Sequence, residues 1–160
     1  MFRTIVLALV GLSALTAVAQ SQQPKTADDY FGAGMTLQRS AQYEKALEQY
    51  AAALRLEPKH FGAQVDSGVC DLALKKFESA INAFRTAANL RPDDAHVQFD
   101  LGVACAGAGR SLGAIDAFKE AIRLDPNPSA PYKNRAQAYR ALGDEINAAR
   151  DEERAQKRSQ

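Results

Sequence analysis

Histidine and cysteine side chains are common metal ligands, bases and nucleophiles, and this chain of 160 residues contains only two of each. Neither His60 nor His96 has a cysteine or carboxylate cluster at metal-ligand spacing beside it. No Ser-His-Asp or Cys-His set can be argued from the sequence. We therefore predict that both histidines lie at the surface, that the chain binds no metal or other cofactor, and that it is not an enzyme.

A second chemical candidate is the glycine-rich stretch from Gly107 to Gly109, which a phosphate group could approach closely. No lysine follows it, although a phosphate-binding loop needs one, and the stretch falls in a predicted helix-ending turn. The sequence thus gives no support for nucleotide binding at this place.

The overall charge of the chain limits the classes of partner. Lysine and arginine number 20, and aspartate and glutamate number 19. A nucleic acid or an anionic membrane would favour a basic excess in a protein that binds it, so the sequence argues against both. Apolar residues make up 46% of the chain, which is enough for a packed core.

The N-terminal residues differ in composition from the rest of the chain. Arg3 precedes an apolar or small stretch from Ile5 to Ala17, and Ala17 and Ala19 offer the small side chains that a signal peptidase accepts. This pattern predicts a signal peptide over residues 1–19 and a protein that is exported, either periplasmic or secreted. An uncleaved membrane anchor is the alternative, although a spanning helix needs about 20 apolar residues. The polar residues 20–26 are predicted to form a flexible leader.

Small, aromatic and proline residues recur every 34 positions from Ala27 onward. Glycine and alanine allow two helix axes to approach closely, and proline ends a helix, so each 34-residue unit is predicted to contain two packed helices. The recurring residues are Gly34, Gly68 and Gly102, continued by Ala136; Ala46, Ala80, Ala114 and Ala148; Tyr50, Phe84 and Phe118; Ala53, Ala87, Ala121 and Ala155; and Pro58, Pro92 and Pro126. The predicted helices cover residues 27–40, 43–56, 61–74, 77–90, 95–108, 111–124, 130–141 and 145–158.

The repeated pattern resembles the tetratricopeptide repeat, a helix-turn-helix unit of 34 residues. In the first unit the family's motif falls on Tyr30, Ala33, Gly34, Leu37, Ala46, Tyr50, Ala53 and Pro58. The resemblance covers residues 27–158 and implies an all-α, right-handed solenoid of stacked helical hairpins. Its repeats would be residues 27–60, 61–94 and 95–128, followed by a degenerate fourth repeat over 129–160 that caps the array.

The fourth unit departs most from the pattern. Glu152 stands where an aromatic ring is expected, and the helix around it is dense in charge from Asp151 to Arg158. We predict a solubilising cap, because the terminal unit of a solenoid needs a polar outer face. A charged docking site for a partner is the alternative.

The family resemblance also implies a site. The first helices of stacked repeats line a concave groove, which in this family commonly holds an extended peptide or a partner helix. We expect an apolar partner segment along units one to three, with acidic character near unit four, and an exposed apolar patch is itself an interaction signal. The expected groove residues are Phe31, Met35, Gln38, Val65, Val69, Leu72, Phe99, Val103, Lys133, Gln137 and Arg140.

Two further predictions remain open at this stage. The protein is expected to be a scaffold or assembly adaptor for another protein, but self-assembly into a homodimer through the open apolar end of unit one is the alternative. Cys70 and Cys105 lie on the first helices of neighbouring units, where we favour two small core residues over a disulfide.

Overall fold

Eight helices account for most of residues 26–159, the part of the chain that the computed structural model describes, and this part contains no strand. All eight predicted helices are confirmed, with ends within one residue of those expected. The predicted signal peptide lies outside the described residues. The helices are α1 Ala27–Arg39, α2 Tyr43–Leu56, α3 Phe61–Ala73, α4 Phe77–Leu90, α5 Ala95–Gly107, α6 Ser111–Leu124, α7 Ala130–Arg140 and α8 Glu145–Lys157.

Side chains at the predicted boundaries supply the hydrogen bonds that start several helices. At α1 the Thr26 hydroxyl accepts from the Asp29 N–H at 3.1 Å, and the Asp29 carboxylate accepts from the Thr26 N–H at 2.8 Å. This reciprocal arrangement is a capping box. Asp94 caps α5 and Asp144 caps α8 through their carboxylates. The caps satisfy N–H groups that have no partner inside the helix.

The turn within each hairpin ends the first helix in the same way. The backbone turns left-handed at one repeated position, with φ of 56° at Ala41, 57° at Lys75, 73° at Gly109 and 77° at Gly143. The N–H of the next residue donates to the carbonyl five residues earlier, at 2.8 to 3.0 Å, which is the Schellman C-cap. Four equal turns give four hairpins of nearly equal geometry.

A glycine and an aromatic ring hold together the helices of each of the first three hairpins. A Cβ placed on Gly68 would lie 2.7 Å from the ring of Phe84, and Gly34 and Gly102 face Tyr50 and Phe118 in the same way. All three rings are fully buried. The glycines are therefore needed for the close approach of ring to backbone, as the 34-residue pattern predicts.

The fourth hairpin replaces this contact with a buried ion pair. The guanidinium of Arg135 on α7 donates two hydrogen bonds, at 2.6 and 2.8 Å, to the carboxylate of Asp151 on α8. Asp151 is 2% exposed and Arg135 is 8% exposed. The expectation that the charges of α8 form a solvated cap is thus wrong for Asp151, because this carboxylate has a buried cationic partner across the hairpin.

Each helix packs against the next one along the chain, and the core runs between the two layers. One buried cluster centres on Tyr50 and Cys70, and another on Phe84 and Phe118. Cys70 and Cys105 are both buried and both free, which confirms their interpretation as small core residues. Within residues 26–159, no helix is long and apolar enough to cross a membrane.

Candidate functional site

The first helices of the four hairpins form one concave face. Contacts connect α1 with α3, α3 with α5, and α5 with α7, whereas the second helices make no such contacts with one another. Because the first helices lie closer together than the second helices, the stack curves toward the first helices. We call this inner surface the groove.

The structure brings the predicted groove residues together on these helices but divides them by exposure. The apolar members are half-buried, with part of each side chain packed on the core clusters. The polar members at the far end are exposed. The half-buried set is Phe31, Met35, Val65, Val69, Leu72, Phe99 and Val103, together with the polar Gln38; the exposed set is Lys133, Gln137 and Arg140.

The two phenylalanines of the set also stabilise the fold itself. Phe31 packs against Tyr50, with ring centroids 5.9 Å apart, and Phe99 packs against Phe118 at 5.7 Å. A Cβ on Gly62 would lie 2.8 Å from the ring of Phe31. Because a charge at either phenylalanine would also disturb the hairpins, these positions are poor places to test binding.

His60 belongs to the junction between the first two hairpins, so the prediction that it lies at the surface is wrong. Its side chain is 11% exposed, and its ring stacks on Phe31 with centroids 4.7 Å apart. Nδ1 accepts from the N–H of Ala63 at 3.1 Å and thereby caps α3, and Nε2 lies 3.2 Å from a carboxylate oxygen of Asp28. Capping draws the ring inward from the turn. His96 is exposed, as predicted.

Gln38 takes part in a polar network at the bottom of the groove. The Tyr50 hydroxyl donates to its amide oxygen at 2.5 Å, and Cys70 Sγ lies 3.5 Å from the same oxygen. A further hydrogen bond joins Gln38 to Asp66. Burial raises the pKa of Tyr50 and raises that of the Cys70 thiol to about 11, so both groups stay protonated at neutral pH. Gln38 is thus engaged within the chain.

Two aspartates that the sequence reasoning did not include among the groove residues lie on the same face. Asp66 on α3 and Asp100 on α5 are 34 residues apart and half-buried. Burial raises the pKa of both carboxyls, that of Asp100 to about 6. Among the described residues, neither forms an ion pair within 4.0 Å. The repeat alignment could have identified them, since they occupy one equivalent position in units two and three.

The basic end of the groove is partly neutralised. Arg140 donates to the carboxylate of Glu152 at 2.5 and 2.8 Å and lies 3.5 Å from that of Glu145. Lys133 forms no ion pair with any residue in the range 26–159. Of the two predicted cations at this end, only Lys133 is uncommitted.

Two open clefts give the groove its depth. One of about 360 Å³ lies between α1 and α3, and the other of about 300 Å³ lies between α5 and α7. No group of three or more metal-ligating side chains occurs in the described part of the chain. The first cleft is lined by Met35, Gln38, Arg39, Tyr43, Asp66, Val69 and Ala73. The second is lined by Val103, Ala106, Ser111, Phe118, Asn134, Gln137, Ala138 and Ala141.

Comparison with known proteins agrees with this architecture. A tetratricopeptide repeat family model matches residues 31–81 and 71–131, which together span more than half of the chain. No curated protein matches the sequence significantly.

Solved structures of MamA have a similar fold. A double mutant of MamA RS-1 superposes with a TM-score of 0.83 at 22% identity, covering 91% of this chain and 81% of that one. MamA 41-end from Desulfovibrio magneticus RS-1 gives 0.80 at 22% identity, with 83% and 75% covered. A crystal structure of MamA gives 0.83 at 20% identity, with 91% and 85% covered. At these identities the likeness concerns the fold alone.

Proposed function

The chain belongs to the tetratricopeptide repeat family, and from this premise we propose that it is a non-catalytic scaffold or assembly adaptor that holds a segment of another protein in the groove. The observation that carries the proposal is the continuous half-buried apolar lining of the groove over three hairpins. A concave apolar surface with a few polar groups suits an extended peptide or a helix. Lys133 at the far end favours acidic character in that part of the partner.

Replacement of groove residues that make no ring contact tests the proposal. Val69→Asp combined with Val103→Asp places two charges on the groove and spares the ring contacts of Phe31 and Phe99. The full chain would be used for a cross-linking pull-down from the envelope fraction of its native cells. We expect the double variant to lose a partner that the unsubstituted chain captures, because burial of a carboxylate against apolar surface is unfavourable.

The matched control is Leu112→Asp, which introduces the same charge at a leucine that is 70% exposed outside the groove. Circular dichroism melting should show that all three proteins remain folded. Retention of the partner by the double variant, or its equal loss with Leu112→Asp, would contradict use of the groove.

Export is part of the proposal and is supported by the pattern of the first 19 residues. N-terminal sequencing of the protein isolated from its native cells should begin at Gln20. An intact N-terminus in the membrane fraction would instead support the anchor.

Self-association is a second candidate function, favoured by a different observation. Leu112, Leu142 and Ile146 are 70%, 49% and 75% exposed, and they lie near the turns of the third and fourth hairpins. Exposed aliphatic side chains in such a group are typical of protein interfaces. Light scattering over a range of concentrations should detect a dimer that Leu112→Ser and Ile146→Ser together dissociate. A monomer at all concentrations would exclude this function.

A further inference from the structure

Asp66 and Asp100 stand in the groove among apolar side chains and without a cation. Asp66 is flanked on its helix by Val65 and lines the same cleft as Val69, and Asp100 follows Phe99 directly. A hydrogen bond from Gln38 reaches Asp66, and no lysine, arginine or histidine among residues 26–159 comes within 4.0 Å of either carboxylate.

The rest of the chain treats buried charge differently. Asp151, the most deeply buried carboxylate of the core, receives two hydrogen bonds from the guanidinium of Arg135. A carboxylate withdrawn from water without a counter-charge is unfavourable, and the raised pKa values of Asp66 and Asp100 reflect this. Groups that reduce stability in this way are typical of functional sites. The missing counter-charges are therefore expected to come from a ligand.

We propose that the occupant of the groove is an extended, largely apolar protein segment with two lysine or arginine side chains about three residues apart, which pair with Asp66 and Asp100. The inference rests on the proposed function and names the chemistry of the partner. Packed helices lie about 8–10 Å apart, and the two aspartates occupy the same position on adjacent first helices. A polyproline II segment rises about 3.1 Å per residue with three residues per turn, so its residues i and i+3 share one side and lie about 9 Å apart.

Selection from a peptide library on the full chain tests the spacing directly. The library consists of ten-residue peptides of apolar residues in which two positions, separated by two, three or four residues, are lysine, glutamate or leucine. We expect enrichment of lysine pairs at a separation of three. Equal recovery of leucine peptides, with binding still lost in the Val69→Asp, Val103→Asp variant, would overturn this inference and leave the proposed function standing. Recovery that is insensitive to that double variant would count against both.

Charge variants of the chain test which carboxylates are used. Asp66→Asn and Asp100→Asn should each weaken binding of the lysine-pair peptide about tenfold at 0.15 M salt, as for other close charge pairs at interfaces. Asp100→Lys should reverse the preference at one of the two peptide positions from lysine to glutamate. Both effects follow from direct pairing.

Asp116→Asn is the control, because it removes the same charge from an exposed position on α6. If Asp116→Asn weakens binding as much as Asp100→Asn does, the attraction depends only on net charge and the inference fails. Unchanged affinity in both groove variants would overturn it equally. Urea unfolding of each variant separates lost binding from lost structure, and Asp100→Asn is expected to be more stable than the unsubstituted chain.

Discussion

At the scale of single residues, buried charge has opposite consequences at two places in this protein. Asp151 is buried with a bidentate arginine partner, whereas Asp100 is half-buried with none. The first arrangement stabilises the fourth hairpin as long as both partners are present. The second reduces stability whenever Asp100 is ionised. Each leads to a prediction with a defined sign.

The Asp100→Asn variant should be more stable than the unsubstituted chain at pH 7. Burial raises the pKa of Asp100 to about 6 in the folded state, so the folded protein binds its proton more tightly than the unfolded chain does. This group's contribution to stability therefore falls as pH rises from about 4 to about 6. The gain at pH 7 should be about 1 kcal/mol, after a discount for partial exposure to solvent.

Urea unfolding of both proteins at pH 7 and at pH 3.5 would measure this difference. The gain should vanish at pH 3.5, where Asp100 is protonated in both states. A variant that is less stable than the unsubstituted chain at pH 7 would show that the carboxylate has a stabilising partner.

Removal of one partner from the Arg135–Asp151 pair should be strongly destabilising. Asp151→Asn leaves a buried guanidinium without its counter-charge, and the expected loss is about 3–5 kcal/mol. Hairpin three supplies the control, because Leu101 and Ala117 occupy the equivalent positions. The double variant Arg135→Leu, Asp151→Ala should recover most of the loss, since an apolar replacement of both partners is often neutral. Equal destabilisation of the single and double variants would mean that the pair is not the decisive contact.

At the scale of the elements, the hairpin turns combine equal geometry with unequal residues. Two of the four left-handed positions are glycine, but Ala41 and Lys75 adopt the same conformation with side chains. The left-handed region is unfavourable for residues with a Cβ, by about 1 kcal/mol. The Schellman hydrogen bonds hold these two residues in place nevertheless.

Ala41→Gly should therefore stabilise the protein, by up to about 1 kcal/mol, because glycine adopts the left-handed conformation without steric cost. The reciprocal variant Gly109→Ala should destabilise by a similar amount, and nothing lies within 4 Å of a Cβ at that position, so the effect would be conformational alone. Thermal or urea unfolding measures both. A stabilising Gly109→Ala would contradict the left-handed turn.

The elements also explain why Ala136 continues the glycine row. In the first three hairpins a ring lies against the glycine, whereas Glu152 occupies the ring position of the fourth and turns outward to Arg140. Without the ring, the space beside position 136 accepts a methyl group. The sequence displays both departures, and only the packing connects them.

At the scale of the whole molecule, the stack has contacts only between neighbouring hairpins. The fourth hairpin contacts the third through α6 and α5 and makes no contact with the first two. Stability in such arrays is close to a sum of the stability of each repeat and of its interface with the next. Damage at one end should therefore remain local.

Hydrogen exchange of the Asp151→Asn variant tests this locality. Amides of residues 130–157 should exchange faster, while those of residues 27–90 should keep the rates of the unsubstituted chain. The physical reason is that α7 and α8 make no contact with the first two hairpins. A uniform loss of protection over all eight helices would show that the array unfolds as one cooperative unit.

The fold could be predicted almost entirely from sequence, and the site only in part. The rows of Gly68 and Phe84 specify bulk at a fixed spacing, and local bulk and helix-ending residues are enough to define hairpins that stack. The groove prediction placed Val69 and Val103 on the correct face. It could not foresee that Phe99 and Gln38 are engaged within the chain, because a ring stack or a hydrogen bond depends on which side chain arrives opposite.

The sequence by itself therefore determined the helices, their pairing and the curved array, since these follow from side-chain volume and backbone preference repeated every 34 residues. Only the tertiary structure decided which charged groups are paired. Asp151 and Asp100 are alike in sequence terms, but Arg135 lies across the hairpin from the first and no cation lies near the second. Electrostatic partnership depends on distances across elements, and residue spacing along the chain does not encode those distances directly.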